Sequence, residues 1–160
     1  MVGFRLIVVA ALALVLSGCI GRDPHALDPV TPLIPVAKGT SMDGDWTAVI
    51  YRVKEGESCM QFVWADDRGD GSCSAEQGPF VTRDPGTTYV MGGTAQPDAA
   101  SVRLRLVGRE PVTLPLVVPE AGVTEGVRYY ATSLAGGPAV TDIEVLNTSD
   151  TILESRHIDE

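Results

Sequence analysis

The stretch Ser101-Val102-Arg103-Leu104-Arg105-Leu106-Val107 decides the fold. Val102, Leu104 and Leu106 fall on one side of an extended chain and Ser101, Arg103 and Arg105 on the other, because successive strand residues point to opposite faces. A strand with that pattern belongs to a sheet with one dry and one wet face. Gly108-Arg109-Glu110 then turns the chain into Val112, Leu114 and Leu116, which alternate with Thr113 and Pro115, so the two runs form a hairpin. Pro115 has no amide proton to give to a ladder and places the second strand at an edge or a bulge.

Working outward, further runs rich in Val, Thr, Tyr and Ile cover residues 46–53, 58–64, 88–91, 127–134, 140–146 and 151–154, with Gly, Pro, Asp and Asn between them. In the run from Val140, Ile143 and Val145 alternate with Asp142 and Glu144, which places that acidic pair on a solvated face. The polar cluster from Asn147 to Asp150 is a turn into Ile152 and Leu153. No segment carries a helical stripe of useful length. The expected fold is all-β, an antiparallel β-sandwich, immunoglobulin-like or a related Greek key of about 7–8 strands, with a small closed β-barrel as the alternative.

The chain has 160 residues, 21 Asp and Glu against 12 Lys and Arg, and a net charge of −9. That length suits one domain. An acidic balance repels phosphate backbones and anionic headgroups, so no nucleic-acid partner is expected. A hydrophobic content of 44% excludes global disorder.

The N-terminus reads Met-Val-Gly-Phe-Arg, then the apolar run Leu6 to Leu16, then Ser17, Gly18 and Cys19. These are the parts of a secretory signal. As a helix the 11-residue run reaches about 17 Å, well short of the roughly 30 Å hydrocarbon core. The tetrapeptide Leu16-Ser17-Gly18-Cys19 resembles the lipobox of bacterial lipoproteins. The resemblance implies residues 1–18 as signal peptide and Cys19 as the lipidated first residue of the mature protein, carrying palmitate or similar acyl chains. At about 0.8 kcal/mol per buried methylene, such chains hold a protein on a membrane without a basic patch.

Residues 19–45 then form a Pro-rich stalk. Pro29, Pro32 and Pro35 match the three-residue turn of polyproline II, and such a spacer extends roughly 3.1 Å per residue. Val30, Leu33, Ile34 and Val36 are more apolar than a tether requires, which leaves open that part of this segment lies along the domain as an edge strand. The β-domain is assigned to residues 46–160. A lipobox, a Pro-rich stalk and a compact β-domain with one disulfide resemble the layout of small secreted lipoproteins of actinobacteria. That layout implies no activity.

Three cysteines are an odd number for a secreted chain. Assigning Cys19 to lipid leaves Cys59 and Cys73 as a pair, and an oxidising compartment makes a bridge between them the default. It would close a loop worth ~3 kcal/mol in the chain-entropy model. The spacing is not C-x-x-C, and two thiols with two remote histidines do not make a zinc site.

Candidate chemistry is sparse. Asp66, Arg68 and Asp70, with Gly71 next, resemble the start of a calcium loop, but a cation stands where a carboxylate is needed and Gln77 where a bidentate Glu is needed, so Asp66 and Asp70 are a weak metal candidate. The triplet Arg68-Gly69-Asp70 fits a polar hairpin loop as well as an adhesion motif. Acid–base or Ser-His-Asp catalysis needs a histidine held in a cleft, yet His25 lies in the stalk and His157 near the end of the chain. No catalytic residue and no cofactor are assigned. Trp46 and Trp64 start and end strands, as half-buried caps over the core. Adjacent Tyr129 and Tyr130 must point to opposite faces. Tyr130 shares its face with Arg128 and Thr132, and these three are the candidate ligand face.

The resulting expectation is a non-enzymatic, membrane-anchored extracytoplasmic lipoprotein that binds another envelope protein or an extracellular ligand. The alternatives are a metal-dependent or atypical acidic-site hydrolase-like domain and a purely structural envelope spacer.

Overall fold

Alternation of β-branched or aromatic residues with polar ones is what a half-buried strand requires. Every element described by a computed structural model of the protein is a strand, and Ser101–Leu106 and Arg109–Pro115 show that alternation most clearly. The description covers residues 29–53, 57–74, 78–119 and 125–158. The leader, Cys19 and the first part of the expected stalk lie outside it.

The strands are β1 (Ile34–Ser41), β2 (Gly44–Arg52), β3 (Ser58–Trp64), β4 (Gly69–Ser74), β5 (Phe80–Asp84), β6 (Thr87–Thr94), β7 (Ser101–Leu106), β8 (Arg109–Pro115), β9 (Arg128–Ala135), β10 (Val140–Leu146) and β11 (Ile152–His157). They form three antiparallel sheets ordered β1-β2-β3-β4, β5-β6-β9 and β11-β10-β7-β8, which do not close into a barrel. The hairpin read from Ser101 onward is β7–β8, and Gly108 occupies its turn with a φ of 66° that a side chain would resist. Pro115 lies, as its chemistry requires, on the edge strand β8.

The sandwich has three layers, because the middle sheet is covered on both faces. Tyr89, Met91 and Tyr129 pack with Val36, Trp46, Ile50, Met60, Phe62 and Trp64 of the first sheet. The intervening residues Val90, Tyr130 and Leu134 pack with Val102, Leu104, Val140, Ile143 and Val145 of the third. Burial along β6 is therefore almost continuous, as expected of a strand covered on both sides.

Three strands add to those read from the sequence. Pairing of β1 with β2 shifts the start of the folded domain ahead of Trp46 and into the expected stalk, with Val36 in the core and a bulge between Pro35 and Ala37. Upstream of it, Val30 N–H donates to the Arg52 carbonyl, and Pro29 bridges Val53. β4 arises from Gly69, Asp70 and Gly71, a stretch that reads as loop by composition. The third is β5, hairpinned to β6.

Candidate functional site

The expected ligand face is internal. Tyr130 is 4% exposed in the second core and lies across β6 from Gly92, where any Cβ would collide with the phenol ring. Burial pushes the Tyr130 hydroxyl well above its ordinary value, which keeps it neutral. Arg128 is spent on structure: its guanidinium donates to the carbonyls of Ala99 and Pro97. Thr132 is half-buried on the same side. Alternation correctly put Tyr129 and Tyr130 on opposite faces, but a third layer covers the face that was taken as free.

Asp66 and Asp70 are likewise not brought together as ligands. Asp66 accepts from Arg68 Nε at 2.7 Å, and this hydrogen bond is the main cause of its lowered pKa. The Arg68 guanidinium sits 5.4 Å from the Trp64 ring centroid, a cation–π contact. Asp70 belongs to β4, opposite Phe62, so the Arg68-Gly69-Asp70 triplet spans the end of a turn and the start of a strand. Among the described residues no three His, Cys, Asp or Glu side chains gather to hold a metal.

Cys59 and Cys73 are bonded, directly opposite one another on β3 and β4. The bridge ties a short Gly-rich edge strand to its neighbour and packs with Val49, Tyr51 and Val53 on the outer face of the first sheet.

Trp46 and Trp64 are not caps. Each is 5% exposed, and with Phe62 and Tyr89 they form an aromatic cluster whose ring centroids lie 5.1 to 6.5 Å apart. Its polar atoms are bonded internally: Tyr89 Oη donates to Asp43 at 2.7 Å, Trp64 N–H reaches Tyr89 Oη, and Trp46 N–H reaches Ser133. Burial raises the Tyr89 pKa. Such a cluster pins the hairpin tip at Ser41 and Asp43 to the middle sheet. It offers a ligand nothing.

The arrangement with chemical capacity lies on the outer face of the third sheet. Arg103 and Arg105 project from β7, two residues apart and on one face. Between them and β11, Glu144 of β10 accepts Arg103 Nε at 2.7 Å on one oxygen and Arg105 Nε at 2.9 Å on the other. Its side chain is only 8% exposed, which corrects the reading of Glu144 as solvated. Burial alone would raise the Glu144 pKa, but the two guanidinium hydrogen bonds and their charges outweigh it and hold the carboxyl below its ordinary value. Beside it Asp142 pairs with His157 at 2.9 Å, and that hydrogen bond is the main cause of the lowered Asp142 pKa.

Glu144 thus works as a fixed post. Both arginines bind it through Nε, and their side chains are 26% and 45% exposed. Two guanidiniums share one carboxylate, with Asp142 directly opposite Arg105, and a planar guanidinium is a group that matches carboxylate and phosphate oxygens. The signal was in the sequence as two alternations, Arg103/Arg105 and Asp142/Glu144. What was missing was that the two strands are neighbours.

Comparison of the chain with protein-family models, with curated proteins and with solved structures gives no match.

Proposed function

We propose that the protein is a non-catalytic binding module, anchored through a lipid on Cys19 and displayed on the extracytoplasmic side of the cell membrane. Its contact surface is the outer face of the third sheet, and its ligand is an acidic group of an envelope protein or extracellular molecule. The observation that carries this reading is the Arg103–Glu144–Arg105 clamp, which holds two arginines side by side and partly exposed on an otherwise acidic chain. Net charge does not oppose it at contact range, since fields between exposed charges are screened beyond about 8 Å at physiological salt.

Two experiments test the reading. Palmitate labelling should be lost in Cys19→Ala, and a variant that still takes up label removes the anchor from the proposal. Crosslinking in native membranes should capture an acidic partner with the wild-type chain and lose it with Arg103→Ala/Arg105→Ala. Capture unchanged by the double substitution removes the clamp from it.

A further inference from the structure

We propose that the free edge of β11 pairs with β11 of a second copy of this chain, in antiparallel register about Ser155. Among the described strands β11 ends its sheet, and nothing described pairs with its outer side. It differs from the opposite edge, β8, which carries Pro111 and Pro115 and so lacks two ladder donors. β11, Ile152-Leu153-Glu154-Ser155-Arg156-His157, has neither proline nor glycine. Its one irregularity is the bulge at Leu153, where Val145 pairs with Glu154 and Leu146 with Ile152.

Hydrogen-bond parity shows which way the backbone groups point. Ile158 N–H donates inward to the Thr141 carbonyl at 2.9 Å. Backbone groups alternate in direction along an antiparallel strand, so those of Arg156 also point inward, and those of Ser155 and His157 point outward. Ser155 can then exchange both of its backbone bonds with Ser155 of the second copy.

The side chains select the same register. Regular antiparallel pairing about a two-fold axis sets a residue opposite its own copy, which here leaves three central choices. An axis at Glu154 puts Glu against Glu, and an axis at Arg156 puts Arg against Arg; both are destabilising. The axis at Ser155 puts Glu154 against Arg156 of the second copy, twice, at positions where cross-strand side chains approach most closely. It also sets Ile152 opposite Ile158. Glu154 and Arg156 already share a face, 2.6 Å apart and partly exposed, so dimerisation exchanges one ion pair for another.

The product is an isologous dimer with one continuous eight-stranded sheet, two copies of the four-stranded β11-β10-β7-β8 sheet. Both arginine clamps then lie on one face, their β7 strands five strand spacings or about 24 Å apart. Pairing through one strand buries less than a standard interface, so the association is weak and suits copies concentrated on one surface.

The test uses the full chain in detergent at high protein concentration with several copies per micelle, in a Cys19→Ala background that removes a third thiol. Ser155→Cys treated with a short bis-maleimide should give covalent dimer, and Thr113→Cys on the exposed face of β8 should give at least tenfold less. Adding Glu154→Arg should lower the Ser155→Cys yield about tenfold, and adding Arg156→Glu to that variant should restore it. Equal yields from the two cysteine positions, no dimer from Ser155→Cys, or a yield indifferent to the charge reversals would overturn the proposal.

Discussion

The two faces of the middle sheet lead to two different kinds of layer. Toward β1–β4, alternate residues of β6 and β9 meet Trp46, Phe62 and Trp64, and Tyr89, Trp64 and Trp46 spend their polar atoms on internal bonds such as Tyr89 to Asp43. Toward β7, β8, β10 and β11 the neighbouring residues, Tyr130 among them, meet Val, Leu and Ile, and the Arg103–Glu144–Arg105 group lies outside that core, on the far face of the sheet. Aromatic rings with polar tips can seal a layer because the tips satisfy one another. The second core is aliphatic apart from Tyr130, and the charges of Arg103, Arg105 and Glu144 lie on the solvent side of its sheet. On the proposed reading the first layer is the support and the third is the contact surface.

The strongest way to break this contrast is through the shared middle sheet. Phe62→Ala should cost about 3–5 kcal/mol and Leu104→Ala about 2–5 kcal/mol. Because β6 and β9 serve both cores, each substitution should shift one common denaturant transition. Two separable transitions would show that the layers fold independently. Replacing Cys59 and Cys73 together by Ala should cost about 3 kcal/mol, on the first layer's outer face and without effect on the clamp.

Glu144→Ala addresses the proposed contact surface. It should cost about 1–3 kcal/mol, since it removes two charge-assisted hydrogen bonds whose arginines can partly rehydrate. Its pH dependence has a definite sign. The folded-state pKa of Glu144 lies below its ordinary value of 4.5, so its contribution is present above that pH and is lost as the pH falls through the folded pKa. Urea titrations from pH 6 to 3 should show wild type losing stability more steeply than Glu144→Gln, and parallel curves would contradict the assignment. Tyr89→Phe should cost about 1 kcal/mol and leave the third layer's ligand behaviour unchanged. His157→Ala, at an exposed pair with Asp142, should stay within about 0.5 kcal/mol.

Much of the fold was legible where local pattern is decisive. The alternation from Ser101 gave a strand, Gly108 its turn and Pro115 its edge. The odd cysteine count gave the bridge. Ile34–Ser41 is obscured because Pro35 and Lys38-Gly39-Thr40 have the composition of a tether, yet pairing with β2 supplies the missing backbone bonds. Gly69–Ser74 was obscured for the same reason. Tyr130 was misread because period-two alternation tells which residues share a face and never what covers it. Glu144 was misread because its partners lie about 40 residues away along the chain, joined to it only through sheet order.

The central claim is that Arg103 and Arg105, held by Glu144, are the pair that takes an anion. Titrating citrate into the 15N-labelled chain while following the arginine Nε–Hε resonances tests it most directly. Arg109, bound to the Ala135 carbonyl, serves as the internal control. The account predicts saturable shifts at Arg103 and Arg105, none at Arg109, and at least a tenfold weaker response in Glu144→Gln. Equal small shifts at all three arginines, or a response unaffected by Glu144→Gln, would contradict it.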